Sequence, residues 1–397
     1  MNFPAVISEE PEAIEKIKVA KRACKPIDGH APLLSGDELC KYVEKGISTD
    51  HECVYAEEAR EKKELGMKIM IREGSSAKNL RELANVGGNF LVSDDVEPGD
   101  LIGGHMDRIL RKAVEYGIDE VEAVQMVTLN PADHYSLDIG AIAPGKSADI
   151  VLVDNLKNFT VRKVFIDGKV VAKDGEKLFK IGGKGRTPTQ NGINIREFES
   201  SRLEVKATGS EVMVRVIEVF DGQIITSELL HKLPVIDGIV QPLPEDDILR
   251  VSVIDRYGHG NIGNGFVRGF GIHDGALAST VAHDSHNLMV VGSSTAHMIR
   301  AVNILRSVGG GLVAVTSDDY MYLRLPVAGL MSHESVHLLA CKARQLNDFV
   351  GDMGSRLSNP FMTMSFLSLL VIPQLRISDR GLFNVDKRCF VDPISDS

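Results

Sequence analysis

The sequence predicts an α/β chain in three parts: a parallel β/α series, a short β-rich segment and an α+β remainder. Three observations support this. From Glu9 to about Gly117, helical and strand patterns alternate with a repeat near 21 residues, as successive parallel βα units do. Near Asn130-Pro131 the pattern changes to short apolar runs divided by turn residues. Beyond a stretch rich in Gly, Lys, Thr, Pro, Gln and Asn at 182–191, which reads as a linker, strands and helices resume without that repeat. The expected divisions are 1–135, 136–185 and 195–397.

In the first part, Ser8-Glu9-Glu10-Pro11 opens a helix to about Cys24, and Pro26 to His30 is a short strand. Ser35 with Glu38 forms a capping box for a helix to Lys45, ended by Gly46. Ile47 to His51 is the next strand and Tyr55 to Leu65 a charged amphipathic helix stopped at Gly66. Lys68 to Arg72 is a third strand, followed by Glu73-Gly74-Ser75-Ser76 and a helix from Ala77 to Ala84. Phe90-Leu91-Val92 is the fourth strand, and a helix of about Pro98 to Tyr116 closes the series. Four βα units cannot close a barrel, which needs eight, and a half-barrel left with open edges invites association. An open doubly wound sheet is the alternative, although no Gly-rich phosphate turn follows any of these strands.

Gly140 to Asp154 and Val164 to Val171 are β-rich, the latter a hairpin around Asp167-Gly168. In the last part the expected strands are Ile248–Ile254, Ala276–Ala282, Leu288–Val291 and Gly311–Thr316, with helices over Thr295–Val308 and Ser335–Phe349. The glycines from Gly260 to Gly271 lack the Gly-x-Gly-x-x-Gly spacing and no helix follows them, so tight turns explain them better than a nucleotide loop.

Composition narrows the function. A net charge of −10 and pI near 5.7 argue against a phosphate-backbone surface, so nucleic acid is not an expected partner. Five scattered cysteines without a Cys-x-x-Cys pair fit a reducing, cytoplasmic setting and exclude a thiolate zinc site. The most apolar stretch, Phe361 to Pro373, is shorter than the about twenty residues a membrane span needs. A soluble protein is the expectation.

The chemistry concentrates at the strand ends. His51 follows His30 by 21 residues and Asp94 follows His51 by 43, which puts all three at the carboxyl end of one parallel sheet. Barrel enzymes carry their catalytic groups there. Two imidazoles and a carboxylate can hold a divalent metal that activates water, with a carboxylate taking the proton. They are equally readable as hydrogen-bonded loop residues. A second cluster, His283-Asp284-Ser285-His286, could bind substrate, a second metal or a subunit if it is a loop; a hydrogen-bonded turn between strands explains it as well. His333 and His337 read as surface or core histidines.

These residues resemble a known family. Asp28-Gly-His-Ala-Pro32, Leu34-Ser-Gly36, Ser48 to Glu52, Met70 to Ser75, Ser93-Asp94-Asp95 and Thr128 to Ala132 look like the barrel of adenine deaminases of the amidohydrolase superfamily. Gly140 to Asp149 resembles that superfamily's return into its small β domain. Gly265 to Gly271, Gly275 to Asn287 and Pro360 to Ser365 resemble the C-terminal domain particular to adenine deaminases. The resemblance implies that His30 and His51 are metal ligands on the fifth and sixth barrel strands. It implies that Asp94, on the eighth, binds metal and shuttles a proton. A binuclear divalent centre, Mn or Fe with Zn as a further option, would then activate water against carbon 6 of adenine, releasing ammonia and leaving hypoxanthine. Glu52, Glu73 and Asp95 are the nearby carboxylates to test as proton donors or substrate contacts.

The sequence departs from the family pattern in two places. Leu33 stands where the first motif usually has glycine. The family's His-x-His pair and its glutamate ligand have no counterpart, since none of the twelve histidines forms a His-x-His. Met1-Asn-Phe-Pro matches the segment that follows that glutamate. The resemblance therefore implies the second half of a metal-dependent (β/α)8 barrel, a small β domain and a C-terminal α+β domain. It implies a site completed by an N-terminal half-barrel chain and assembly as a homo-oligomer. A catalytically inactive remnant or an assembly subunit is the alternative.

Overall fold

The computed structural model describes residues 1–180 and 193–395, so the expected linker at 182–191 lies outside the described residues. Contacts divide the chain into two units, Met1–Val96 with Asp100–Lys184, and Glu97–Gly99 with Gly185–Ser397.

The first unit opens with α1 (Phe3–Ile7), α2 (Pro11–Arg22) and α3 (Gly36–Glu44), whose buried Val6, Ile17, Leu39 and Tyr42 share one core. The alternation then continues through β1 (Thr49–Asp50), α4 (Ala56–Glu64), β2 (Lys68–Arg72), α5 (Leu80–Leu83) and β3 (Phe90–Val92). The strands are parallel and pair in sequence order, β1–β2–β3, with Thr49 opposite Lys68 and Met70 opposite Phe90. Strand order does not reverse among them, as it would at the switch point of a doubly wound sheet. Ile69 and Ile71 of β2, Leu91 of β3 and Ala59 of α4 form the core beneath.

Several elements differ from expectation. The expected strand Pro26–His30 forms only one ladder bridge, His30 with Asn2. Proline has no N–H to give a ladder, the Gly29 N–H goes to Thr49 Oγ1, and the Ala31 N–H goes to the Asp50 carboxylate. Side chains have taken over the work of a ladder there. Ser35 precedes α3 as expected, but its side chain makes no capping hydrogen bond. The helix expected over Ala77–Ala84 shortens to α5, because the Ala77 carbonyl accepts the Gly74 N–H and the Asn79 N–H bonds back to Arg72 O before it begins. The helix expected over Pro98–Tyr116 is two, α6 (Pro98–Ile102) and α7 (Met106–Glu115), broken at Gly103-Gly104 with φ of 122° at Gly104. Two further helices, α8 (Glu120–Val127, capped by Asp119) and α9 (Leu129–Tyr135), were not expected. A four-stranded antiparallel sheet follows: β4 (Ile150–Val153), β5 (Val161–Ile166), β6 (Lys169–Lys173) and β7 (Glu176–Lys177). Asp167 and Gly168 both adopt positive φ between β5 and β6, as the expected tight hairpin turn requires.

The second unit is α+β and built on a nine-stranded sheet. Its strands are β8 (Glu211–Val219), β9 (Thr226–Ile236), β10 (Ile239–Val240), β11 (Ile248–Ile254), β12 (Ile262–Arg268), β13 (Ala276–Ser279), β14 (Leu288–Gly292), then α10 (Thr295–Val308), β15 (Gly311–Val315) and β16 (Tyr320–Arg324). Their spatial order is β10-β9-β8-β12-β11-β14-β13-β15-β16. Every residue of β11 is buried, because the two faces of the sheet feed different cores. Leu249, Val251 and Val253 join Met289, Val291 and Leu277 on one face. Val290, Ala278 and Val313 pack on the other against Met298, Val302 and Leu305 of α10. The first face is closed by α11 (Val336–Asp352), α12 (Pro360–Phe366) and the hairpin sheet β17 (Leu375–Ser378), β18 (Gly381–Asn384) and β19 (Cys389–Val391).

This packing corrects the reading of the glycine stretch. Gly263 and Gly265 lie within β12, and a Cβ on Gly263 would meet Ser378 O at 2.0 Å. Close approach of the β17–β18 hairpin explains Gly263 and Gly265 better than turns do, whereas Gly260, Gly269 and Gly271 flank the strand at positive φ, as turn glycines do. His333 precedes α11 and His337 lies in its first turn, both exposed. No described helix is long and apolar enough to cross a membrane.

Candidate metal centre

The short parallel strands of the first unit all lead into polar residues at their carboxyl ends. β1 stops at Asp50, so His51 and Glu52 leave its carboxyl end, β2 ends on Arg72, and Asp94 lies two residues past β3. His30 ends the extended segment beside β1; its N–H is shared by Met1 O and Tyr42 Oη at 3.1 and 3.0 Å. Asp94 holds φ of 58°, a left-handed conformation aspartate tolerates, and this turns the chain out of β3.

Of the expected trio, His30 and His51 come together around Glu52, while Asp94 reaches only His51 and Arg72 among the described residues. Glu52 is 1% exposed, and its Oε1 lies 3.3 Å from His30 Nδ1 and 3.1 Å from His51 Nε2. Ligand atoms of His30, His51 and Glu52 all fall within 4.8 Å of one another. Asp94 Oδ2 is 3.8 Å from His51 Nε2. The imidazole centroids are 5.5 Å apart. Arg72 grips Glu52 with both ends of its guanidinium, at 2.8 Å each, and also donates to Asp94.

The electrostatics follow from these contacts. Burial works to raise the Glu52 carboxyl, but the charge of Arg72 and hydrogen bonds from the two histidines hold it well below the usual carboxylate range. Burial works to lower His51, yet Glu52 and Asp50 raise it overall. Glu52 is thus a fixed anion that orients both rings.

The residues fit a divalent metal. Two imidazoles and carboxylates form a donor set suited to such ions. His30 Nε2 is buried with no hydrogen-bond partner while Glu52 occupies the other ring nitrogen. Metal-ligating histidines commonly have that arrangement, one nitrogen free to ligate and the other on a carboxylate.

Of the other carboxylates named from the sequence, Glu73 does not meet the imidazoles. It pairs with Lys112 at 2.5 Å and accepts from the Leu80 N–H, tying α7 to α5. Asp95 influences Arg72 through its charge, and its carbonyl holds the Ser75 N–H at 2.9 Å. His283, Asp284 and His286 lie in the other unit, in the turn joining β13 and β14. The His283 ring stacks on Phe366 at 5.0 Å, and His286 Nδ1 accepts the Ala282 N–H. Burial, then His283 and Arg256, lower the His286 pKa. These three are not among the clusters whose ligand atoms converge in the described residues.

Sequence reasoning missed Arg72. The signal was present: it ends the strand Lys-Ile-Met-Ile-Arg, at the same sheet edge as His51 and Asp94.

Comparison with known proteins places the chain in a family. Residues 1–171 match the model of the amidohydrolase family, and residues 223–389 match that of the adenine deaminase C-terminal domain. An adenine deaminase of Methanothermobacter thermautotrophicus is 61% identical over 98% of this chain and 72% of its own length. That of Methanosphaera stadtmanae is 46% identical, covering 100% of this chain and 73% of its own. That of Borreliella burgdorferi is 39% identical, covering 99% and 73%. With likeness of this extent at both ends of the sequence, the chain belongs to the adenine deaminase family.

Proposed function

We propose that this chain catalyses, as part of a complete site, the metal-dependent hydrolysis of adenine to hypoxanthine and ammonia. His30, His51 and Asp94 would hold a divalent ion, with Mn, Fe and Zn all compatible with the donor set. The observation that carries the reading is the convergence of both imidazoles on Glu52, with His30 Nε2 left unpartnered, in a chain of this family.

A bound divalent metal lowers the pKa of water enough for it to act as a nucleophile near neutral pH. The chain's own groups do the rest. Asp94, half-exposed at the strand end, takes the proton of the attacking water and returns it to the departing amine. Carbon 6 gains the oxygen of water and loses its amino group as ammonia. Glu52 stays ionised and keeps both rings in register, and Arg72 bridges the two carboxylates, offsetting the repulsion between them. Asp95 and Glu73 are supporting groups in this scheme.

We further propose that groups outside these residues complete a binuclear ligand set, because the sequence holds no His-x-His. A barrel portion at 1–135, a small β domain at 136–185, a C-terminal domain at 195–397, homo-oligomeric assembly, a cytoplasmic setting and a role in purine salvage belong to the same proposal. The five free thiols are compatible with a reducing compartment.

One assay tests it. Purified chain is supplied with Mn, Fe or Zn, alone and co-expressed with the amino-terminal barrel portion of a relative, and hypoxanthine and ammonia are measured. Turnover is expected only with the added portion. Stoichiometric metal and turnover in the chain alone would refute the incomplete site. Absence of adenine turnover in both preparations would refute the deaminase reading.

A further inference from the structure

Behind His30 and His51 lies a second charged cluster that the reaction does not use. Asp50, Cys53 and Glu58 bring their ligand atoms within 4.8 Å of one another. An ammonium already fills the cationic role: Lys62 of α4 is fully buried and donates to Asp50 Oδ2 at 2.9 Å and Glu58 Oε1 at 2.6 Å. A lysine takes no side-chain acceptor role and is almost never fully buried unless paired. Here its third bond goes to the main chain, Ala31 O, at 2.5 Å.

Each member of the triad reaches backbone next to a proposed ligand. Asp50 Oδ1 accepts the Ala31 N–H, one residue after His30, and Asp50 itself directly precedes His51. Glu58 Oε1 accepts the Leu33 N–H, and its Oε2 accepts the Val54 N–H. The segment after His30 and the segment around His51 are therefore both fastened to one helix through one buried ion triad. Neither segment has more than a short ladder to hold it: β1 pairs with β2 over two residues and Pro26–His30 makes a single bridge.

We propose that Lys62, with Asp50 and Glu58, is a positioning group that sets the spacing of the His30 and His51 imidazoles. The inference rests on the reading of those histidines as metal ligands only for its consequence, not for its geometry. Removing the ammonium leaves two buried carboxylates facing the Ala31 carbonyl, so the loops separate to admit water. The rings move with them.

The test uses the full chain labelled with 15N-histidine, carrying Lys62→Met and, in a second preparation, the milder Glu58→Gln. Ring signals of His30 and His51 are assigned by their loss in His30→Ala and His51→Ala. The proposal expects both signals to shift or broaden while the remaining histidines stay in place. Zinc affinity, read by competition with a chelating dye, should fall by about ten- to a hundredfold. If Lys62→Met does not fold, Glu58→Gln decides by the same two readouts. Unmoved His30 and His51 signals in a folded variant overturn the proposal. Moved signals, with zinc affinity indifferent to His30→Ala, leave the positioning role standing and remove the metal reading instead.

Discussion

Two of the four sheets of this protein are held together by opposite means. The nine-stranded sheet of the second unit is stabilised by apolar burial on both faces, with β11 buried along its whole length. The parallel sheet of the first unit has strands of two, five and three residues. Its strand ends are held by Arg72, Glu52, Lys62, Asp50 and Glu58, all nearly or wholly buried. Hydrophobic burial is non-directional and tolerates modest rearrangement. Buried ion pairs are directional and costly to break. A site that must fix two imidazoles gains from the second kind of support, and a scaffold gains from the first.

The comparison can be broken most severely at the strand ends. Replacing His30, His51 or Asp94 by alanine should reduce adenine turnover of the completed enzyme to background, measured as ammonia release. Retained turnover would remove that residue from the ligand set. Next comes Arg72→Met, which strands Glu52 as an uncompensated buried anion. It should cost about 3–5 kcal/mol in chemical denaturation. A loss below about 1 kcal/mol would mean that water already screens this pair.

In the apolar sheet, Leu249→Ala should cost about 2–5 kcal/mol by the same measurement, through a cavity rather than a charge. Its effect should be indifferent to salt. Salt sensitivity there would blur the contrast between the sheets.

A smaller, pH-dependent effect belongs to Asp255, whose carboxylate accepts the N–H groups of Tyr257, His259 and Gly260 and the His259 ring. Burial works to raise its pKa, but these donors lower it overall. A carboxyl depressed on folding adds stability above its unfolded pKa, near about 3.9, and loses it as pH falls through the lower folded value. Protection of the 255–260 amides, corrected for intrinsic exchange, should therefore begin to fall near the unfolded value and go on falling until the pH passes below the depressed folded one. Protection that does not change across that interval would show that the donors do not hold the anion.

The smallest effect is expected at Leu33. It adopts φ of 58°, a left-handed backbone where glycine is favoured. Leu33→Gly should change stability by no more than about 1 kcal/mol, relief of strain offsetting the extra freedom of the unfolded chain. A loss well above that would mean the leucine side chain has a packing role its partial exposure does not suggest.

Much of this was legible in the order of residues. β2, β3, β11 and α10 have the bounds their periodicity predicts, because each carries a clean apolar pattern between turn or capping residues. His30, His51 and Asp94 were singled out from strand-end spacing, which depends only on the βα repeat, and the structure places His51 and Asp94 past their strand ends. The long hairpin of β8 and β9 was not read, since its alternation is blurred by half-buried polar residues. Pro26–His30 was misread as a strand because side chains, invisible to periodicity, replace its ladder.

By itself the sequence determined the winding of the first unit, the strand-end residues and the kinship of both ends of the chain. Those depend on local pattern and motif, which are written in linear order. Only tertiary structure decided that Glu52 rather than Asp94 closes the tightest cluster, that Arg72 grips it, and that Lys62 in a helix of charged residues is fully buried. Residues 20 apart meet there at hydrogen-bond distance. Which charge finds which partner depends on how neighbouring strands and helices pack, and no window along the chain contains that information.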